Sequence, residues 1–300
     1  MSEEQSRTRA GLLFGVGAYL CWGLLPLYFK LVAMVPSTEI VAHRIVWSLL
    51  FLGVLATIWR RWPAIRAALG TSRVMITLTL TALLIGGNWL IYIYSIVSGH
   101  VIESSLGYYL NPLINVLLGV VLLREKLSRL QVVATVLAAA GVTVLALGAG
   151  TGLWISFALA GTFALYGFLR KIAPVDALEG LSIETLILTP IALGWLVWLQ
   201  QHGQSGLTDH GTGIALLLVF GGVITAVPLL LFTAAARRLP YSTMGFLQYI
   251  SPTLQFLTAV LAFGEHLTTA HLVCFALIWS ALALVSFDGL RAAARARAAA

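Results

Sequence analysis

The sequence predicts an all-α membrane protein with ten transmembrane helices, arranged as two inverted repeats of five helices with both termini on the cytoplasmic side. Of its 300 residues, 60% are hydrophobic and only 10% are charged, whereas a soluble domain carries about 25% charged residues. The apolar residues form ten stretches of roughly 18 to 26 residues, and a helix of about 20 residues crosses a bilayer. The positive charges are confined to alternate joints between these stretches.

The ten apolar stretches are predicted helices 1 to 10. Continuous apolarity from Val132 to Leu147 suits a helix and not the alternating strand of a barrel. The first stretch continues past Pro26 to Met34, which is too long for the apolar part of a signal peptide. In chain order, the predicted helices are 11–34, 37–59, 74–98, 101–123, 130–148, 152–170, 180–199, 212–236, 241–263 and 268–288.

The distribution of positive charge predicts the topology. Every Lys and Arg except Lys30 and Arg44 lies in a tail or joint that the helix count places on one side, and the joints on the other side carry none. Positively charged joints remain in the cytoplasm, so we expect both termini there, in a bacterial inner membrane. The net charge of +7 is therefore a topology signal and gives no reason to expect a nucleic-acid partner.

The two halves of the chain, 1–148 and 149–300, are predicted repeats. Residues 105–116 match residues 245–256 at a constant offset of 140, with Tyr109 opposite Tyr249 and Pro112 opposite Pro252. Each half contains five helices, and five is odd, so the second half enters the membrane in the opposite sense. Inverted repeats that meet near the midplane are typical of alternating-access transporters.

Candidate site residues follow this repeat. Pro112 and Pro252 lie mid-helix, where each removes a backbone donor and predicts a helix break. Polar residues at spacings of three and four form a stripe in predicted helix 4 and another in predicted helix 9, and predicted helix 3 adds a polar and aromatic group. These stripes face either a solute cavity or a neighbouring helix, and the aromatic residues either line a pocket or pack. The residues are Tyr108, Asn111, Asn115, Gln248, Tyr249, Ser251, Gln255, Asn88, Trp89 and Tyr92.

Charged residues within the apolar stretches suggest gates. Lys30, Glu39, His43, Arg44 and Glu103 all lie toward the predicted outer side, and ionisable groups in a membrane are costly enough to mark function. We interpret them as one outer gate or coupling cluster; the alternative is that their long side chains extend to the interface. Glu184, the repeat counterpart of Glu39, is the matching inner-gate candidate.

Several short segments resemble the RarD family within the EamA drug/metabolite transporters. They are 39–48, 87–90 and 103–112 in the first half and 183–185, 225–229 and 248–253 in the second. The resemblance implies ten helices, a central cavity shared by both halves and an association with chloramphenicol sensitivity or drug permeation. It supplies no catalytic residue. Tyr109 and Ser251 depart from the Phe and Gly usual in that family.

These observations favour a secondary transporter that exports a small amphipathic metabolite or drug. No P-loop, HExxH, GxSxG or CxxC motif occurs in the sequence, so we expect no cofactor, no metal and no enzymatic activity. The expected partners are a small-molecule substrate and the lipid bilayer, with protons as the candidate coupling ion. An uncoupled facilitator or exchanger is the alternative, and a membrane enzyme or lipid-handling protein is a third reading.

Overall fold

Helices make up nearly all of the computed structural model, which describes residues 3–97, 100–147, 152–263 and 269–298. Thirteen helices lie in these ranges. They are α1 (Glu3–Leu31), α2 (Ser37–Ile58), α3 (Trp62–Leu69), α4 (Ser72–Val97), α5 (Val101–Val121), α6 (Arg129–Ala146), α7 (Leu153–Ile172), α8 (Ala177–Gln201), α9 (Gly206–Asp209), α10 (Gly211–Ala236), α11 (Tyr241–Gln248), α12 (Ile250–Phe263) and α13 (Thr269–Ala298).

Within the described ranges, eight helices are long and apolar enough to cross a membrane, namely α1, α2, α4, α6, α7, α8, α10 and α13. They carry predicted helices 1, 2, 3, 5, 6, 7, 8 and 10. Predicted helix 4 is α5, which has a shorter apolar part, Leu106–Val121. Predicted helix 9 is divided between α11 and α12. The chain is thus a multi-pass, α-helical membrane protein.

Helix formation extends beyond the apolar stretches. α1 begins at Glu3 and α13 ends at Ala298, well outside the predicted ranges 11–34 and 268–288. The added segments are rich in Ala, Arg, Glu and Gln, which favour helix in water as well as in lipid. Two joints also contain the short helices α3 and α9, which hydropathy alone does not predict.

The two mid-helix prolines behave differently. Predicted helix 9 is interrupted at Tyr249, where Pro252 leaves the Gln248 carbonyl without the helical hydrogen bond it would otherwise accept. The break expected at Pro112 is wrong, because α5 runs through that residue from Val101 to Val121. Packing of α5 against α7 and α11 holds the helix together where one backbone bond is missing.

The helices pack in pairs that connect the two halves of the chain. α2 packs against α8 and α10, α5 against α7 and α11, α1 against α10 and α12, α4 against α7 and α8, and α6 against α13. The approach of α10 to α2 is especially close at Gly222, where a Cβ atom would lie 2.4 Å from the Trp47 carbonyl carbon. Ser48 donates a hydrogen bond of 3.0 Å to the Gly222 carbonyl oxygen at the same point.

Candidate functional site

A cavity of about 160 Å³ lies at the centre of the helices. Four helices of the first half (α1, α2, α4 and α5) and four of the second (α7, α10, α11 and α12) contribute to its wall. The cavity brings together most of the polar and aromatic residues singled out in the sequence. Those residues are Arg44, Asn88, Trp89, Tyr92, Tyr108, Asn111, Gln248, Ser251, Pro252 and Gln255.

One wall of the cavity is aromatic. The Trp22 ring on α1 lies 5.5 Å from the Phe163 ring on α7 at an interplanar angle of 79°, and 5.7 Å from the Tyr19 ring. Tyr92 and Tyr108 form a second edge-to-face pair at 6.1 Å. These are favourable aromatic geometries, so the wall is preformed and suits a flat, apolar group.

Arg44 supplies the positive charge of the cavity. Its Nε donates a 2.7 Å hydrogen bond to the Thr225 hydroxyl on α10. Its guanidinium carbon lies 5.4 Å from the centre of the Phe29 ring and 5.5 Å from that of Trp89, which is within cation–π range. No carboxylate of the described chain lies within 4.0 Å of this side chain.

Side-chain amides of the cavity are oriented by backbone carbonyls. The Asn88 amide donates 2.8 Å to the Leu159 carbonyl and 2.9 Å to the Thr162 hydroxyl. The Gln255 amide donates 3.1 Å to the Trp22 carbonyl. Each bond joins the two halves of the chain and fixes the amide nitrogen, so the remaining amide oxygen is the group that these residues can offer to a solute.

Asn115 and Tyr249 lie behind the cavity wall. The Asn115 amide donates a 2.6 Å bond to Gln248 Oε1 and so orients a side chain that does line the cavity. Tyr249 is buried in a separate apolar cluster with Tyr109 and Phe275. The Asn111 amide also points away, donating 3.0 Å to the Ala160 carbonyl.

The residues of the proposed outer cluster occupy different surroundings. Glu39 and His43 are buried side by side, with His43 Nε2 3.5 Å from Glu39 Oε1, and the same carboxylate oxygen accepts a 2.7 Å bond from the Gly206 amide. Arg44 faces the cavity, whereas Lys30 is exposed at the end of α1. The structure thus pairs Glu39 with His43 and directs Arg44 elsewhere.

Two more predicted gate residues are buried. Glu103 lies in the first turn of α5, where its backbone carbonyl accepts a 2.5 Å bond from Ser156. Glu184 is 1% exposed. Its carboxylate accepts a 2.5 Å bond from Thr81 on α4 and lies 3.5 Å from Arg170 Nε. Glu184 is therefore bonded to the other half of the chain.

Three residues that line the cavity are not among the predicted site residues, namely Phe29, Phe163 and Thr225. Thr225 carries a hydroxyl group within the most apolar span of the described chain, and a polar side chain in such a span indicates a candidate site residue. Phe29 and Phe163 carry no such signal, because a phenylalanine in a membrane helix looks the same whether it faces lipid, a core or a cavity. No three His, Cys, Asp or Glu side chains of the described ranges cluster as metal ligands would.

On the side predicted to be cytoplasmic, ion pairs join the joints of the two halves. Arg61 follows α2 and pairs with Glu179 and with Asp176, the latter at 2.7 Å. Hydrogen bonding to Glu179 and then to Asp176 raises the pKa of the Arg61 guanidinium above its ordinary value. Arg237 pairs with the other Asp176 oxygen at 3.2 Å.

Glu125 adds a further bond between the halves on that side. It lies beyond the end of α5, and its two oxygens accept hydrogen bonds of 2.5 and 2.8 Å from the backbone amides of Tyr241 and Ser242. The first turn of a helix has unpaired amides and favours negative charge. A carboxylate of the first half therefore anchors the start of α11 in the second.

Comparisons with known proteins assign this architecture to a family. The EamA-like transporter family matches residues 9–147. The chain is 42% identical to the protein RarD of Escherichia coli (strain K12) over 287 residues, which cover 96% of this chain and 97% of that one. The chain belongs to the RarD family of EamA-type transporters.

Other similar proteins agree with this family assignment. The chain is 46% identical to an uncharacterized transporter of Vibrio cholerae over 99% of its own length and 98% of that protein. It is 35% identical to the chloramphenicol-sensitive protein RarD of Pseudomonas aeruginosa, covering 94% and 95% of the two chains. A protein crystal structure with 19% identity superposes with a TM-score of 0.72 over 93% of this chain and 98% of that one, which supports the fold. The protein is thus a bacterial membrane transporter of this family.

Proposed function

We propose that the protein is a secondary transporter of the bacterial inner membrane that exports a small amphipathic solute by alternating access. In this proposal ten helices cross the membrane, residues 1–148 and 149–300 form two inverted repeats, and both termini lie in the cytoplasm. The observation that supports this proposal best is the central cavity, whose wall is formed by four helices of each half. A site at the junction of two repeats becomes accessible from either side when the repeats exchange conformations.

The helix contacts support the repeat. In the proposed repeat, each predicted helix of the first half has its counterpart five predicted helices later. Exchanging every helix for its counterpart converts the contact of α5 with α7 into that of α12 with α1, and the contact of α4 with α7 into that of α10 with α1. The contact of α2 with α10 corresponds in the same way to that of α8 with α4, and the pairs α2–α8, α5–α11 and α6–α13 each join a helix to its own repeat counterpart. Such a contact set is expected of two similar units related by a pseudo-twofold axis.

The bonds between the halves at the predicted cytoplasmic end support gating. The pairs of Asp176 with Arg61 and Arg237, together with the Glu125 contacts to α11, hold that end together. Opening the cavity toward the cytoplasm requires that these bonds separate. Exposed ion pairs contribute only about 0–1 kcal/mol each, so the closed end is stabilised without being locked.

The test uses thiol labelling and needs no knowledge of the solute. The sequence contains two cysteines, so a Cys21→Ala/Cys274→Ala background can carry a single Ser251→Cys in the cavity wall. A membrane-impermeant maleimide is applied to right-side-out and to inside-out vesicles. Alternating access predicts labelling from both sides, and Asp176→Asn is expected to increase labelling from the cytoplasmic side.

Native Cys274 provides the control, because it is fully buried and should remain unlabelled in a Cys21→Ala variant. Labelling of Ser251→Cys from one side only, in every variant, contradicts alternating access. Solute uptake into inside-out vesicles energised by a proton gradient then tests for export, because the lumen of such vesicles corresponds to the outside of the cell.

The second candidate function is an uncoupled facilitator. It is favoured by the absence of a carboxylate among the described residues of the cavity wall, since coupled carriers commonly bind the proton there. The buried Glu39–His43 pair lies outside that wall and is the candidate proton site. If Glu39→Gln and His43→Gln leave the pH dependence of flux unchanged, the facilitator is the better description; loss of that dependence identifies a coupled carrier.

A further inference from the structure

No carboxylate within the described ranges lies within 4.0 Å of the Arg44 guanidinium. Its only hydrogen bond to a side chain within the described ranges goes to the neutral Thr225 hydroxyl, at 2.7 Å. Arg44 is half-buried, whereas the fully buried Arg170 lies 3.5 Å from the Glu184 carboxylate. A guanidinium stays charged in any protein environment, and a buried charge normally has an opposite partner. The cavity therefore presents a cation for which the partner is to come from outside the chain.

The guanidinium is held so that it can form new bonds. Nε is occupied by Thr225, and the flanking rings of Phe29 and Trp89 support the group at 5.4 and 5.5 Å from their centres. Arg44 lines the cavity, and within the described ranges its side chain makes its one hydrogen bond through Nε, which leaves the two terminal nitrogens available. Guanidinium nitrogens bind carboxylates in a bidentate, planar arrangement, which a neutral solute cannot match.

The rest of the cavity defines the remainder of the solute. Its volume of about 160 Å³ is close to that of an apolar cavity of about 150 Å³ that accommodates benzene. Trp22, Phe163 and the Tyr92–Tyr108 pair provide flat apolar walls. This space is sufficient for one ring and a small substituent.

The charge balance excludes a second charged group on the solute. Among the described residues of the wall, Arg44 is the single formally charged side chain, and neither Asp nor Glu is present. An ammonium group would enter a site that already holds a positive charge and offers no negative one. A monoanion neutralises the cavity, whereas a zwitterion or an organic cation does not.

We propose that the cavity recognises an organic monoanion consisting of one aromatic ring and a carboxylate, with the carboxylate bound by Arg44 and the ring placed between the aromatic walls. This assignment rests on the proposed transport function, whose solute class it defines. It sets the export substrate apart from cationic drugs and from amino acids.

The test measures binding to the full-length protein in detergent. The thermal midpoint is followed with three probes of similar size, namely benzoate, its neutral analogue benzamide and the cation benzylamine, and with acetate as the anion that lacks a ring. A ligand that binds only the folded state raises the midpoint by mass action. Benzoate is expected to bind about 10- to 100-fold more tightly than benzamide, the factor for a hydrogen bond to a charged group, while benzylamine and acetate produce no shift.

Variants assign the effect to Arg44. Arg44→Gln is expected to reduce benzoate affinity to that of benzamide and to leave benzamide unchanged. Arg73→Gln removes an exposed arginine at the start of α4 and serves as the matched control, with benzoate binding intact. If Arg44→Gln does not fold, Thr225→Val removes the acceptor that holds Nε, and a several-fold loss for benzoate alone is expected.

Two results overturn the proposal: equal shifts with benzoate and benzamide, or no shift with benzoate at millimolar concentration. Either result leaves the thiol-labelling outcome untouched, because that experiment uses no solute. Conversely, selective benzoate binding in a protein whose cavity cysteine is labelled from one side only supports the anion site and refutes alternating access.

Discussion

Glu184→Gln tests whether the buried carboxylate between the halves is a structural anchor. The substitution keeps the shape of the side chain and removes its charge. Arg170, which is 0% exposed, then keeps two backbone acceptors, the carbonyls of Asp176 at 3.4 Å and Ala177 at 3.2 Å, and loses its anionic neighbour. The bond from Thr81 to the former carboxylate also weakens, because the acceptor becomes neutral.

The expected cost follows from this geometry. Removing one partner of a buried ion pair destabilises a protein by about 3–5 kcal/mol. The distance between Arg170 Nε and Glu184 Oε1 is 3.5 Å, longer than a hydrogen bond, and two carbonyl acceptors remain, so the lower end applies, about 3 kcal/mol. For large domains, where 1 kcal/mol corresponds to about 2–4 °C, the midpoint should fall by about 6–12 °C.

The assay is thermal melting of the purified protein in detergent, followed by the fluorescence of its nine tryptophans. Tyr166→Phe is the graded control, since it removes one 3.3 Å hydrogen bond to the same carboxylate and should cost about 1 kcal/mol. The double variant Glu184→Gln/Arg170→Gln should melt above Glu184→Gln, because the unpaired charge is gone. A Glu184→Gln midpoint within about 2 °C of the wild type refutes the reasoning.

Two further substitutions test the contacts between helices. Gly222→Ala places a Cβ atom 2.4 Å from the Trp47 carbonyl carbon, so α10 must move away from α2, and the thermal midpoint should fall by the equivalent of about 1–3 kcal/mol. The control is Gly213→Ala, which lies in the same helix with open space around it and should be neutral or stabilising. Equal thermal midpoints for the two variants would contradict this account of the packing. Glu125→Gln replaces a carboxylate that accepts hydrogen bonds from the backbone amides of Tyr241 and Ser242. The first amides of α11 should therefore exchange their hydrogens faster in hydrogen-exchange measurements. Unchanged exchange rates would show that this carboxylate is not needed to hold the start of α11.

Hydropathy and the low charge content predicted the fold class because the hydrocarbon core of a bilayer requires the helices that cross it to be apolar. A spanning helix must be apolar over about 20 residues, and 37–59, for example, became α2 at Ser37–Ile58. The ends of α1 and α13 were not predictable in this way, because helix propensity continues in water where hydropathy gives no signal. The different outcomes at Pro112 and Pro252 could not be predicted from the sequence either, because packing against neighbouring helices, and not the proline alone, decides whether the helix is interrupted.

The polar residues of the cavity were predictable because a polar group in a membrane span needs a reason to be there. Asn88, Gln248 and Gln255 could be selected on that basis. Spacing predicted that Glu39 and His43, at i and i+4, share one face of a helix, but it did not predict that Arg44 faces the cavity. His43 and Arg44 are adjacent in sequence, yet one pairs with Glu39 and the other faces the cavity.

The contrast between α5 and the α11–α12 pair has a consequence for energetics. Pro112 and Pro252 occupy equivalent positions 140 residues apart, and one segment is a continuous helix while the other is interrupted at Tyr249. The interruption is confined to Tyr249, whose dihedral angles remain helical at φ −62° and ψ −15°, so α11 and α12 continue in nearly one direction and the helix is weakened at a single point. A helix that lacks one backbone hydrogen bond bends at that point more readily than an intact one, so Pro252 is where movement of α12 relative to α11 costs least.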